Sequence, residues 1–599
     1  MPETLRIANC SGFFGDRLSA AREMVEGGPI DVLTGDWLAE LTMYILHKTR
    51  ERTGGYARTF LRQLEEVLPT CVERGITIVS NAGGLNPEGL AEAVTELARR
   101  QGVVVRVASV SGDDITGRVP DLLKKGHSFT NLDTSETLDP AAPLVTANAY
   151  LGGRPIADAL AAGADIVVTG RVTDASVIVG PALHAFGWKD DDVNSIAGAV
   201  VAGHVIECGA QCCGGNYAFF DEVTAPERIG FPIAELHPDG SSVITKHPGT
   251  GGIVSVGTVT AQLLYEIGGP RYLSPDAVAR FDTIALHQEG SDRVRISGVV
   301  GEPPPPDLKV TANLDGGWRN SMTMAITGSL VEQKARLAAA AVWAGIPGGR
   351  DAFEETAEDL SGDMRGAGIA FLRLAVRGGD EAAVGRGFSG AVVETSLASY
   401  PGTFFTSAPS GAQAVARYWP TTIPADEVNA VITCDGQPVS PTPRPSAGSQ
   451  GDPDTETATV AAAPHLSLES DPGEELNVPL WVLVGGRSGD KGGDANIGLW
   501  ADDDAVAAWL HSRLDVTLFK TLLHEAADFE VSRFALPNLR AVNFVVHGIL
   551  GWGVASNLRL DTQAKGLAEL IRAREVSVPA SLVANGAPAR RWKEAQAPR

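Results

Sequence analysis

The stretch ITIVSNAGGLNPEGLAEAVTELARRQGVVVRVA, residues 76–108, decides the fold class. A short apolar run at 76–80 leads through a Gly/Asn-rich turn into residues 87–101, whose apolar positions repeat at helical spacing, and a second apolar run follows at 103–108. The same alternation extends from the start to about residue 210, with further apolar runs at 5–9, 30–33 and 166–168. Near-continuous Val/Ile runs between amphipathic helices are typical of buried parallel sheets. We therefore predict an α/β fold with a doubly wound, mainly parallel sheet.

Composition shifts along the chain predict three parts. Residues 1–436 form the large α/β domain, with a possible subdivision near 210–240, and residues 437–477 form a Pro-, Ser- and acid-rich linker. Residues 478–599 form a small α+β unit that we expect to be ferredoxin-like. Within it we predict strands at 479–484, 496–499 and 541–546, helices at 503–514 and 562–573, and a glycine-rich loop between the first two strands.

Charge and composition exclude several functional classes. The 599 residues carry 49 Lys and Arg against 73 Asp and Glu, a formal net charge of −24. An excess of acid of this size is the opposite of the clustered basic surface that nucleic acids and anionic membranes require. The N-terminus lacks a basic region followed by an apolar segment, and six cysteines are too few for a disulfide framework. We expect a cytoplasmic, soluble protein.

Signatures of common cofactors are missing from the sequence. There is no Walker A loop, no G-x-G-x-x-G after a strand, no H-E-x-x-H and no G-x-S-x-G. The sequence therefore shows no NAD or ATP fingerprint, and the cofactor is unknown.

Polar residues follow the predicted strands where parallel sheets bind their ligands. Ordinary turn and helix-capping chemistry explains any one of these loops, whereas their convergence favours a site. Carboxylates and amides in such loops serve as bases, polarising groups or metal ligands, and arginines neutralise carboxylate or phosphate. The candidate catalytic residues are Asp16, Asp36, Asn81 and Asp174, and the candidate ligand-binding residues are Arg17, Gly83, Gly84, Arg154 and Arg171.

Two later segments add candidates. Glu207 beside Cys208 is a possible acid or base next to a nucleophile, with Gln211 as a binding residue, although buried cysteines are commonly structural. A second cysteine pair at zinc spacing is missing, so we expect no metal there. Lys246 and His247 lie in a Gly-rich segment that is either an anion cradle or a plain turn.

The C-terminal unit carries its own polar candidates. Residues 485–496, GGRSGDKGGDAN, hold five glycines, more than a hairpin turn needs, so we predict a ligand loop in which backbone N–H groups approach the ligand. A second polar patch follows around a Gly-rich bend, and a structural role for it is equally compatible with the sequence. The binding candidates here are Arg487, Asp490, Lys491, Asn496, Asn543 and His547.

These motifs resemble one family, the acyclic terpene utilisation protein AtuA family. The similarity lies at residues 15–17, 36–40, 81–84, 148–152, 169–174 and 207–211, and residues 478–599 are similar to the ferredoxin-fold domain often attached to that family. Cys212 and Cys213 depart from the residues expected after Ala210-Gln211. The resemblance implies catabolism of citronellol- and geraniol-type branched acids as coenzyme A thioesters, alongside a carboxylase and a hydratase. It does not supply the chain's own reaction.

Residues and resemblance together lead to one main hypothesis and two alternatives. We expect an enzyme that acts on a branched acyl-CoA or acid by hydration, elimination or C–C lyase chemistry, as a homo-oligomer. One alternative is a non-catalytic assembly subunit of an acyl-CoA carboxylase or hydratase, with the C-terminal unit as its docking module. The other is a metal-dependent hydrolase that uses the acidic loops.

Overall fold

The structure is a computed structural model that describes residues 2–365, 367–445, 447 and 474–597. Up to residue 445 the strands are β1 Leu5–Asn9, β2 Val32–Gly35, β3 Thr77–Ser80, β4 Val107–Ser111, β5 Leu144–Ala149, β6 Ile166–Thr169, β7 Pro232–Leu236, β8 Ser242–Lys246, β9 Arg271–Tyr272, β10 Val278–Arg280, β11 Ala285–Gly290, β12 Arg293–Ser297, β13 Val300–Glu302, β14 Asp307–Thr327, β15 Glu355–Gly362, β16 Ile369–Gly378, β17 Phe404–Phe405, β18 Gln413–Pro424, β19 Val431–Cys434 and β20 Gln437–Val439.

The helices of the same part are α1 Ala20–Glu26, α2 Glu40–Lys48, α3 Arg50–Thr53, α4 Arg58–Arg74, α5 Pro87–Gln101, α6 Val119–Lys124, α7 Arg154–Ala161, α8 Ser176–Phe186, α9 Val193–Ile206, α10 Val256–Leu263, α11 Val331–Gly345 and α12 Phe388–Glu394. After residue 474 come β21 Glu475–Pro479, β22 Val484–Lys491, β23 Asp494–Ala501, β24 Val531–Leu536, β25 Ala541–Val546 and β26 Glu575–Pro579, with helices α13 Asp504–Arg513, α14 Val516–Leu522, α15 Leu567–Arg572 and α16 Gly586–Ala595. No helix in these described parts is long and apolar enough to cross a membrane.

The large sheet is mixed. Its eleven strands run in the order β11-β12-β8-β7-β1-β2-β3-β6-β4-β19-β20. Neighbouring strands pair in parallel only among β1, β2, β3, β6 and β4, and the strands that extend the sheet on both sides pair antiparallel. The fold is therefore α/β as predicted, but a doubly wound, mainly parallel sheet is not confirmed. The added strands lie beyond residue 230, in segments that do not alternate with helices.

The deciding stretch folds largely as its pattern indicates. Helix α5 begins at Pro87 and ends at Gln101, because the side chain of Asn86 accepts from Gly89 N at 3.0 Å and Gly102 adopts a left-handed conformation with φ of 70°. The following strand starts later than predicted, at Val107 instead of residue 103.

A second sheet is organised by β14, which pairs with β16, β17, β18 and β5. Its first half lies against β5 and β18 next to the large sheet, and its second half carries β15, β16 and β17 with helices α11 and α12. A register shift between Asp315 and Trp318 separates the halves. One long strand thus connects the main body to an outlying α+β region.

The prediction of a glycine-rich loop at residues 485–496 of the C-terminal unit is wrong. Strands β22 and β23 pair residue by residue from Val484↔Ala501 to Lys491↔Asp494, so the segment is a hairpin with its turn at 492–493. It belongs to an antiparallel sheet in the order β22-β23-β25-β24, while β21 pairs with β26. The glycines allow another surface to approach, since a Cβ at Gly489 would lie 2.3 Å from Tyr265 Cε2 and one at Gly498 would lie 2.5 Å from Leu264 Cβ.

The two units share a continuous interface. Trp500, Leu536 and Ala541 belong to the main apolar core of the N-terminal unit, and the rings of Tyr217 and Trp500 stack with centroids 6.1 Å apart. Strand β20 and residues 442–445 remain on the N-terminal unit. The rest of the predicted 437–477 linker lies mostly outside the described residues.

Candidate functional site

Three side chains from the ends of parallel strands meet in the interior. Asp36 follows β2, Asn81 follows β3 and Arg171 follows β6. Asn81 Nδ2 donates to Asp36 Oδ1 at 2.5 Å, and Trp37 N donates to Asn81 Oδ1 at 2.8 Å. Asn81 therefore holds the carboxyl of Asp36 at the carboxyl edge of the sheet, where open α/β folds bind ligands.

Arg171 is the buried cation of this group, with 2 % of its surface exposed. Its Nη1 donates to Asp174 Oδ1 at 2.6 Å and to the carbonyl of Leu38, and its guanidinium lies 4.2 Å from the ring centroid of Tyr150. Burial lowers the pKa of Arg171, but Asp174, Tyr150 and Asp36 outweigh this effect and raise it. Arg171 is thus a fixed positive charge beside a carboxyl.

Glu207 reaches the same group from the end of α9. It is 5 % exposed, and its Oε1 lies 3.3 Å from His204 Nδ1. Asn9 Nδ2 donates to the carbonyls of Ile206 and Glu207, which ties the end of this helix to β1. The His204 ring packs against Tyr272 with centroids 4.9 Å apart. These contacts fix the position of Glu207 in the cluster.

Two of the carboxyls have raised pKa values. Burial and the charge of Asp174 raise the pKa of Asp36 well above its usual range, and burial with Asp174 and Glu266 does the same for Glu207. Burial lowers the pKa of His204 to about 4, so the ring is neutral. A raised pKa favours the protonated form of a carboxyl, which is the form that donates a proton in general acid catalysis.

The C-terminal unit covers this cluster and adds charge to it. Arg487 on β22 lies 4.6 Å from the ring centroid of Tyr265, and Lys565 Nζ donates to the Tyr265 hydroxyl. Lys565 also pairs with Asp490 at 3.3 Å. Lys491 lies close enough to lower the pKa of His204. The site is therefore built from both units.

Cys208 lies between the carboxyl cluster of the N-terminal unit and the basic residues of the C-terminal unit. Burial first, and then the charges of Glu207 and Glu266, raise the pKa of its thiol well above the usual range, while Arg487 and Lys565 act in the opposite direction. A nucleophilic cysteine needs a thiolate, which these surroundings disfavour. The raised pKa disfavours Cys208 as a nucleophile.

Comparison with known families agrees with this architecture. A family model described as "acyclic terpene utilisation family protein AtuA" matches residues 5–434, and one described as "AtuA ferredoxin-like domain" matches residues 478–577. The chain belongs to the AtuA family. Membership implies a part in acyclic terpene utilisation and a ferredoxin-like C-terminal domain. No curated protein and no solved structure matches the chain.

Several of the predicted site residues make their contacts outside this cluster. The Asp16 carboxylate accepts from Gly12 N at 2.9 Å, and Arg17 pairs with Glu23 at 2.7 Å. Arg154 pairs with Asp190 at 2.5 Å on α7. Lys246 pairs with Asp292 at 3.1 Å, and His247 Nε2 lies 2.9 Å from Met24 O. These contacts stabilise loops and helix ends.

Other candidates act through the backbone or by packing. Gly83 and Gly84 let the chain pass close to Thr169 O and Leu46. Gln211 is half-buried in a short 3₁₀ turn, and His547 lies between Asp494 and Ser532, 2.9 Å from each. No group of three or more His, Cys, Asp or Glu in the described ranges is arranged to hold a metal ion.

Asn496 and Asn543 stabilise the junction of the two units. Asn496 Nδ2 donates to Leu264 O and to Asn543 Oδ1, and Asn496 Oδ1 accepts from Glu266 N at 2.8 Å. Asn543 Nδ2 donates to Gly268 O at 2.7 Å and to Ile267 O. Both amides are saturated by protein groups, so they position the 264–268 segment against the site.

The sequence candidates omitted residues that the structure brings to the cluster. They come from separate segments that carry no shared motif, and Tyr150 alone stands inside a motif that suggested the family. These additional residues are Tyr150, Tyr265, Glu266, Tyr272, Lys309 and Lys565.

Proposed function

We propose that the protein is an enzyme that moves protons on a branched acyl substrate, an acid or its coenzyme A thioester, in a hydration, elimination or C–C lyase reaction of acyclic terpene utilisation. The observation that carries the proposal is the enclosed group of Asp36, Glu207 and Arg171. Two buried carboxyls with raised pKa values flank a fixed cation there.

The proposed chemistry assigns a role to each side chain. Hydration, elimination and lyase reactions of acyl compounds all pass through negative charge on a carbonyl oxygen, which Arg171 stabilises. They also need one group that gives a proton and one that takes it. Glu207 and Asp36 serve as this pair, one of them protonated and the other ionised beside Arg171, and Asn81 orients Asp36. Asp174 holds Arg171 in place.

Hydrogen exchange tests this proposal without knowledge of the full reaction. The full-length protein is incubated in D₂O with 3-methylbut-2-enoyl-CoA, 3-methylbutanoyl-CoA or the free acids, and deuterium uptake into the acyl chain is followed by mass spectrometry. We expect uptake with at least one compound. Glu207→Gln should slow it by about 10² to 10⁴, the usual contribution of a general acid or base.

The matched control is Glu96→Gln, because Glu96 pairs with Arg99 on the outer surface of α5. Its rate should equal that of the unmodified protein. Absence of uptake from every compound, or full activity of both Glu207→Gln and Asp36→Asn, would show that the cluster is not catalytic. The assembly-subunit alternative would then take its place.

A further inference from the structure

Arg487 is the most deeply placed cation that the C-terminal unit contributes to the site. It lies on β22 with 7 % of its surface exposed, against the ring of Tyr265. Its Nη1 makes a hydrogen bond of 3.4 Å to Asn216 O. Its charge is close enough to Cys208 to lower the pKa of that thiol.

Apart from this hydrogen bond and the Tyr265 ring, the described residues offer the guanidinium no partner. Nε and Nη2 are buried and form no hydrogen bond within the described ranges, and no carboxylate of those ranges pairs with the side chain. The other buried arginines of the unit differ, since Arg572 pairs with Glu569 and Arg591 pairs with Glu222 and Asp502. Burying a charge without a counter-charge is strongly unfavourable.

The two unpartnered groups form one edge of the guanidinium. The N–H bonds of Nε and Nη2 point the same way in the plane, which is the arrangement that binds two oxygens of a carboxylate or phosphate at once. A water molecule would satisfy the hydrogen bonds but not the charge. An anionic group of the ligand satisfies both.

The surrounding charge also favours an anion. Burial raises the pKa of both Asp36 and Glu207, which disfavours negative charge on these carboxyls. Arg171 Nε is a further buried donor that lacks a partner in the described part of the chain.

We propose that Arg487 binds an anionic group of the ligand, a carboxylate or a phosphate, through Nε and Nη2, so that the ferredoxin-like unit completes the ligand site. The identity of the ligand as an acyl compound rests on the proposed function, whereas the anion site rests on the geometry of Arg487. The reacting part of the ligand then lies toward Arg171 and Glu207. Neither unit alone holds a complete site.

Calorimetric titration of the full-length protein tests the anion site. The probes are inorganic phosphate, coenzyme A, 3-methylbutanoate and 3-methylbutanoyl-CoA, which separate a phosphate source from a carboxylate source. The variants are Arg487→Met, which keeps the packing stem, and Arg487→Lys, which keeps the charge but loses the two-donor edge. Arg540→Met is the control, because Arg540 is an exposed arginine of the same unit that pairs with Asp504.

We expect saturable binding of at least one probe, at least tenfold weaker binding by Arg487→Met, and unchanged binding by Arg540→Met. Absence of binding by the unmodified protein, or equal affinity of Arg487→Met, overturns the proposal. If Arg487→Met does not fold, Arg487→Lys decides, and an unchanged affinity of that variant overturns it.

The two proposals fail separately. Binding that depends on Arg487 without deuterium uptake from any compound keeps the anion site and removes the enzymatic function. Deuterium uptake that Glu207→Gln abolishes, together with anion binding that Arg487→Met leaves unchanged, keeps the enzymatic function and removes the anion site.

Discussion

Asp113 should make the stability of the protein fall as the pH rises toward neutrality. This carboxyl is 2 % exposed, and its Oδ2 accepts from Arg171 N and Asn148 Nδ2, at 2.9 Å each. Burial raises its pKa from 3.8 to about 7, against the lowering effect of these hydrogen bonds. The group lies directly behind Arg171 and therefore beneath the site.

The sign follows from proton binding. Between about pH 4 and pH 7 the folded protein keeps a proton on Asp113 that the unfolded chain has lost, so the free energy of unfolding decreases with rising pH. A shift of roughly three pKa units at about 1.4 kcal/mol each gives a loss of about 4 kcal/mol across this range, as an order of magnitude. Below pH 4 both states are protonated and the effect vanishes.

Asp113→Asn should remove this dependence. The amide keeps an oxygen for Arg171 N, and the Asn148 amide, whose Oδ1 has no partner in the described ranges, can turn to accept from the new NH₂ group. Relative to the unmodified protein, the variant should become more stable by about 4 kcal/mol as the pH rises from 4 to 8. Urea unfolding followed by tryptophan fluorescence at several pH values measures the difference.

The control is Asp121→Asn, which removes a carboxyl exposed on α6. It should leave the pH profile of stability close to that of the unmodified protein. Parallel profiles for Asp113→Asn and the unmodified protein would refute the reasoning, because they would show that folding does not raise the pKa of this carboxyl.

Four further outcomes are expected. Gly489→Val should push Tyr265 away and loosen the contact between the units, detected as faster limited proteolysis, whereas an unchanged rate would contradict the close approach. Asn496→Ala leaves buried backbone groups unpaired and should cost about 2 to 4 kcal/mol in urea unfolding. Lys246→Met should lower the stability of the protein, because it removes the ion pair with Asp292, but it should leave anion binding unchanged in calorimetry. The cysteines, buried or half-buried and with raised thiol pKa values, should react with a thiol reagent at pH 8 far more slowly than in urea.

Local patterns predicted those parts of the fold that depend on neighbours in sequence. Helix α5 was predictable because its apolar spacing, its cap at Asn86 and Gly102 all lie within one short segment. The antiparallel strands β7, β8, β11 and β12 were not predictable, since no periodicity in the sequence indicates that they pair with the large sheet. The family resemblance, confirmed by the two family models, covered both units.

The dependence on local sequence also explains which residues of the candidate site could be predicted. Asp36, Asn81 and Arg171 were predictable because the ends of parallel strands share one edge of a sheet. Tyr265 and Lys565 come from segments 300 residues apart that meet only when the two units pack. The hairpin of β22 and β23 was missed because glycine disfavours strands on its own, and only the approach of Tyr265 and Leu264 explains its presence there.

The fully hydrogen-bonded amides at the junction reduce the importance of the covalent link between the two units. Asn496, Asn543 and the shared apolar core hold the two units together by contacts that do not involve a peptide bond between residues 445 and 474. We therefore expect the site to assemble even when the two units are not covalently linked. Residues 1–445 and 474–599, produced as separate polypeptides in one cell, should find each other and reconstitute the same protein, so that one gene or two could encode it.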